Sequence, residues 1–153
     1  MRSFAFSIFS DDIRFEIDNK VSLIGCYSGI LDVSYEADGF ILPKLGIFIT
    51  INLIPTDIPR EVTIKVERDD GVEELFSQVF TIESENSQQV SHSADTVDQG
   101  ENDKYLTIKV PLVFSPVPMR EGKISTRIHY NDNILKAGSL LIRRVPSINS
   151  NNV

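Results

Sequence analysis

Apolar residues recur at every second position through most of this 153-residue chain, the spacing of strands with one face on a core. Phe4, Phe6 and Ile8 alternate with Ala5, Ser7 and Phe9, which predicts a strand with one strongly apolar face. Asp11-Asp12 is expected to end it. Ile13, Phe15 and Ile17 then alternate with Arg14, Glu16 and Asp18, and the rhythm resumes at Val21, Leu23, Gly25 and Tyr27. Asp and Asn tolerate positive φ, so Asp18-Asn19 is the predicted hairpin turn. A short strand is expected around Ile30–Tyr35. Leu45–Leu53 is apolar at its odd positions and also at Phe48, as expected of a strand central in its sheet.

Two prolines, Pro55 and Pro59, remove ladder donors and end that strand. Val62, Ile64 and Val66 face inward in the next, Asp69-Asp70-Gly71 turns the chain, and a partner strand follows to about Ile82. Further on, Leu106, Ile108, Val110 and Leu112 alternate with Thr107 and Lys109, and Pro111 marks an edge position at that strand's end. The last hairpin pairs Ile124–Tyr130 with Ile134–Val145 across Asn131-Asp132-Asn133. No stretch of ten residues carries a helical apolar period. The reading is an all-β chain of about eight to nine strands in a two-sheet antiparallel sandwich, immunoglobulin-like or C2-like. Residues 1–146 form a single domain. The polar, acidic stretch 84–103 lacks the apolar surface needed to offset ordering, which predicts a mobile loop. Residues 147–153 are expected to form a disordered tail.

Composition sharpens the fold class: Ile and Val total 32 residues against 15 for Leu and Ala, a β-branched excess that disfavours helices. Cys26 is the one cysteine, so no internal disulfide forms and a reducing, cytoplasmic setting is expected. Its alternation predicts a buried, inert thiol. No apolar run reaches the length of a membrane-spanning helix. Six acidic residues and no basic one in 83–103 account for all but one unit of the net charge of −7. That sign disfavours nucleic acid as a partner.

Catalytic chemistry finds little support in the pattern. Of the two histidines, His92 falls in the acidic stretch, and His129 falls on the outward phase of its strand. Neither is placed to hold a triad. There is no zinc spacing and no glycine-rich phosphate loop, so no cofactor is expected. The weak candidates for a divalent metal are Asp11, Asp12, Asp69, Asp70 and Asp132, acidic residues in predicted turns. Asp and Asn are also what turns ordinarily use. Asp11, Asp12, Arg14 and Glu16 are weak candidates for a partner-docking surface on the first hairpin. Arg127, Arg143 and Arg144 form no patch, because adjacent strand residues point to opposite faces.

The opening Phe9–Tyr27, F-S-D-D-I-R-F-E-I-D-N-K-V-S-L-I-G-C-Y, followed by L-P-K-L-G-I at Leu42–Ile47, resembles a family of small bacterial proteins known only as a domain of unknown function. Its members share a D-D-I-R…K-x-S-L-I-G-x-Y opening and an L-P-K-L segment. The resemblance covers the first third of the chain and implies a bacterial or phage setting. It carries no activity, ligand or residue role. The expected function is a non-enzymatic protein-binding or adaptor module, binding another protein or itself, with no membrane contact. The alternatives are a self-assembling structural component of a phage-like or defence particle, and a divalent-metal-dependent hydrolase.

Overall fold

The computed structural model describes residues 2–34, 39–82 and 105–146. The acidic stretch 84–103, its His92 and the tail 147–153 lie outside the described residues. Eleven strands are described: β1 (Phe4–Phe15), β2 (Val21–Cys26), β3 (Ile30–Val33), β4 (Phe40–Leu42), β5 (Leu45–Leu53), β6 (Glu61–Arg68), β7 (Glu73–Thr81), β8 (Leu106–Phe114), β9 (Val117–Met119), β10 (Gly122–Tyr130) and β11 (Asn133–Arg144). They form a β-sandwich. A four-stranded sheet runs β2-β1-β5-β8 and a five-stranded sheet runs β3-β11-β10-β6-β7, with a β4-β9 ribbon beside them. All pairings are antiparallel except β3 with β11. No helix among the described residues is long and apolar enough to cross a membrane.

The core lies between the sheets. Ile47, Ile49 and Ile51 of β5 meet Val62, Ile64 and Val66 of β6 with Ile124, Ile128, Leu140 and Ile142, all essentially sealed from solvent. β5 sits between β1 and β8 and is buried along its whole length apart from the half-buried Phe48, which is why its run reads as apolar on both sides. β8 is an edge strand as Pro111 implies, but Pro111 lies within it, opposite Phe48. A proline holds such a place because an edge strand can leave a donor position unused.

The first strand departs from expectation. Asp11-Asp12 does not end the first strand: β1 is continuous for 12 residues. It leaves β5 at Ser10↔Gly46 and takes β2 as partner from Ser10↔Cys26 onward, so the carboxylates sit inside a paired strand. The inward face of β1 is also the less apolar one. Ala5, Ser7 and Phe9 pair with Ile51, Ile49 and Ile47 and face the core, whereas Phe4 and Phe6 face outward, each 44% exposed. The cause is a close approach by β11. A Cβ built on Gly138 (φ 153°) would lie 2.7 Å from Ser7 Oγ, too little room for a phenyl ring at that position.

The turns form where Asp and Asn stand. Asp18 (φ 63°) turns β1 into β2, Asp69 (φ 51°) and Asp70 (φ 57°) turn β6 into β7, and Asn131 (φ 47°) turns β10 into β11. These short polar side chains adopt the left-handed region at lower cost than other non-glycine residues.

Candidate functional site

The structure disperses the acidic residues singled out as metal candidates. Asp11 lies across from Gly25, whose missing Cβ leaves the space that Asp11 Oδ2 occupies. The Tyr27 hydroxyl donates to Asp11 Oδ1. Burial first, then this bond, pushes the Tyr27 hydroxyl well above the usual tyrosine pKa. Asp12 accepts from Lys44 Nζ at 2.9 Å and pairs with Arg14 at 3.4 Å. Asp69 accepts the Lys123 backbone N–H at 3.0 Å, and Asp70 pairs with Lys123 Nζ at 2.9 Å. Asp132 is exposed in the β10–β11 turn, at the other end of the second sheet. No group of three or more potential metal ligands occurs among the described residues. Of the docking candidates, Asp12 and Arg14 bond to each other, Asp11 is held by Tyr27, and Glu16 is exposed. Cys26 is exposed rather than buried, because it lies on β2, an edge strand.

Three surface carboxylates, the half-buried Asp12 and the exposed Asp32 and Asp70, carry the clearest electrostatic signature. The hydrogen bond from Lys44 lowers the pKa of Asp12, that from Arg143 lowers Asp32, and that from Lys123 lowers Asp70, with the charge of Arg127 adding. Arg143 and Asp32 form a two-point fork at 2.7 and 2.9 Å that ties β11 to β3. A carboxylate whose pKa is lower in the folded chain stabilises it above the unfolded value, near 3.8, and that stabilisation is lost as pH falls through the folded value. The melting temperature should therefore hold from about pH 7 to about pH 5 and decline below about pH 4. The decline from these groups is modest, since Asp32 and Asp70 are exposed and Asp12 is only half-buried. The triple variant D12N/D32N/D70N, followed by calorimetry over the same range, should show a shallower acid decline than the parent chain.

The outward faces of the two sheets differ in character. On the four-stranded sheet the register sets three rows across β1, β5 and β8: Phe4, Asn52 and Thr107; Phe6, Thr50 and Lys109; and Ile8, Phe48 and Pro111. Val113, 46% exposed, extends the same face, and Tyr105 stands edge-on to Phe4 with ring centroids 5.6 Å apart. Beneath these rings Thr107 donates to Asn52 Oδ1 at 2.8 Å, a buried pair satisfied within the sheet. The result is an aromatic and aliphatic surface along β1, β5 and β8. It is continuous with the edge strand β8.

On the five-stranded sheet the outward phase of β10 reads Lys123, Ser125, Arg127 and His129. Lys65 and Lys136 stand directly on either side of Arg127 on β6 and β11. Arg127 pairs with Glu67 at 3.4 Å and Asp70 at 3.3 Å, and Lys65 pairs with Glu74 at 3.0 Å. His129 lies on the outward phase as expected, but its Nε2 is enclosed and has no hydrogen-bond partner in the protein. Arg143 is tied to Asp32 and Arg127 to β6, so the three arginines noted in the sequence do not act together.

A second charged group closes the open end of the core. Arg68, 4% exposed, occupies the inward phase at the end of β6. Its Nη2 donates to the Pro118 carbonyl at 3.1 Å and its Nη1 pairs with Glu73 at 3.4 Å, while Arg120 reaches the same carboxylate at 3.3 Å. These bonds fasten the β4-β9 ribbon over a shallow hollow lined by Phe40, Ile41 and Met119. Arg120 also approaches Asp69 at 3.9 Å, so two carboxylates face the two guanidinium groups and the group reads as a fastening and not as a binding site.

Alternation in the sequence already showed two faces for the Phe4–Phe9 strand, but nothing in it said which face turns outward. Comparison with family models, with curated proteins and with solved structures found no match to this chain.

Proposed function

We propose that this protein is a non-enzymatic binding module that docks another protein on the outward face of its four-stranded sheet. The observation that carries the reading is the exposure of Phe4 and Phe6, 44% each, on a face that also presents Ile8, Phe48, Pro111 and Val113. Contiguous exposed apolar surface of this kind on a small domain marks an interaction site, and aromatic anchors dominate the energetics of such sites. The adjoining edge strand β8 adds backbone groups that a partner strand can pair with.

The partner we infer is a different protein with basic residues around an apolar centre. Two copies docked through this face would bring together two chains, each of net charge −7. Like charge at an interface opposes association and opposite charge favours it. The lone cysteine and the resemblance of the opening segment support a cytoplasmic, bacterial setting for this role.

Light scattering and partner capture together test the reading. Light scattering over a wide concentration range should give a monomer. A tagged chain should retain a basic protein from lysate of its native host, with retention weakening as salt is raised. A dimer that forms on concentration and is dispersed by F4S/F6S would assign the face to a second copy. Retention of the same protein by a folded F4S/F6S variant would remove the face from the function.

A further inference from the structure

Strand register brings Lys65, Arg127 and Lys136 into one transverse row on adjacent strands β6, β10 and β11. Arg127 and Lys136 share one hairpin, and Lys65 comes from a distant part of the chain. Like charges placed directly opposite across a sheet are destabilising, so such a row opposes folding unless anions neutralise it. Two of the three are neutralised from within the protein: Lys65 by Glu74, and Arg127 by Glu67 and Asp70. Lys136 has no carboxylate within ion-pair distance among the described residues. It lines a hollow of about 230 Å³ together with Lys123, Arg127 and the paired residues Ser125 and Ser139, and Asp70 stands at the same hollow holding Lys123 and Arg127.

We propose that this hollow is an anion site for a small phosphate-class dianion, held by the Lys136 ammonium, the free donors of the Arg127 fork and the Ser139 hydroxyl. The size fits one phosphate or diphosphate group. Arg127 brings five N–H donors, more than its contacts from Nε to Glu67 and from Nη2 to Asp70 require, and planar guanidinium donors suit phosphate oxygens. Ser139 is exposed on the same phase. The β-bulge between Thr126 and Arg127 places an unpaired residue, Ala137, in β11 and so bends the backbone at the hollow's floor. Such irregularities commonly re-aim side chains at functional sites.

The probe is inorganic diphosphate, added at constant ionic strength set with sodium chloride and followed by amide shifts in two-dimensional NMR. Saturable shifts confined to the β10–β11 segment around Arg127 and Ser139 are expected. K136Q, which removes an exposed and unpaired charge and so leaves the fold intact, should weaken binding by about tenfold, the scale of one charge-assisted contact. S139A should weaken it less. Shifts that fail to saturate, or that K136Q leaves unchanged, would overturn the site. Binding of a single-stranded oligonucleotide without binding of diphosphate would overturn it as well, since it would show a diffuse polyanion surface instead of a formed hollow.

Discussion

Replacing Ile64 by alanine should destabilise the protein by about 2–5 kcal/mol, the range for deleting a buried isoleucine to its Cβ. Ile64 is fully buried, pairs with Ile128 on β10, and sits at the centre of the cluster between the sheets. Removing its outer carbons takes away both transfer free energy and packing contacts, and a rigid two-sheet core closes such a void only in part. A domain of this size is stable by about 5–15 kcal/mol, so the variant forfeits a large share. Urea unfolding should show a lowered midpoint with an unchanged slope. Val72, 80% exposed in the β6–β7 turn region, is the comparison: V72A should stay within about 0.5 kcal/mol of the parent. An Ile64→Ala cost below about 1 kcal/mol would mean that the two sheets do not pack as described.

The second large effect falls on binding and spares stability. Phe6→Asp places a carboxylate on the outward face of β1, next to Thr50 of β5. Phe6 lies outside the core, so the folded chain should tolerate the change within about 1 kcal/mol. A docked partner would instead bury that charge against an apolar surface. Loss of an aromatic anchor alone costs about 2–4 kcal/mol at an interface centre, which lowers affinity by roughly thirtyfold to a thousandfold. The expected combination is a near-parental melting temperature with partner affinity reduced at least a hundredfold. The reverse combination, a large loss of stability with affinity unchanged, would show Phe6 to be a core residue and not a docking one.

These two residues also mark what was legible in the sequence. Ile64 belongs to a strand whose alternation, turn and partner could all be read from the chain, because each depends on neighbours in sequence. The central position of Leu45–Leu53 was legible because its odd positions are all apolar and Phe48 adds an apolar residue to the other phase, as expected of a strand flanked on both edges. Phe6 was legible as part of an apolar face but not as an exposed one. Which face of β1 turns inward is decided by Gly138, more than a hundred residues away, which brings β11 against Ser7. Asp11-Asp12 looked like a strand end because acidic pairs favour turns. β1 runs through them because β2 takes over as its partner where β5 is left behind. The row Lys65, Arg127 and Lys136 exists only through register, which local pattern does not set. The ribbon of β4 and β9 went unseen because three-residue strands carry too few positions to show a period.

The measurement that bears most directly on the account is hydrogen exchange of the chain alone and bound to its captured partner. Binding on the proposed face should slow exchange along the edge strand β8 and reduce solvent access around Phe4, Phe6, Phe48 and Val113, leaving β10 and β11 unchanged. Protection centred on β10 and β11 or on the β2 and β3 edges, with β8 exchanging as in the free chain, would contradict it.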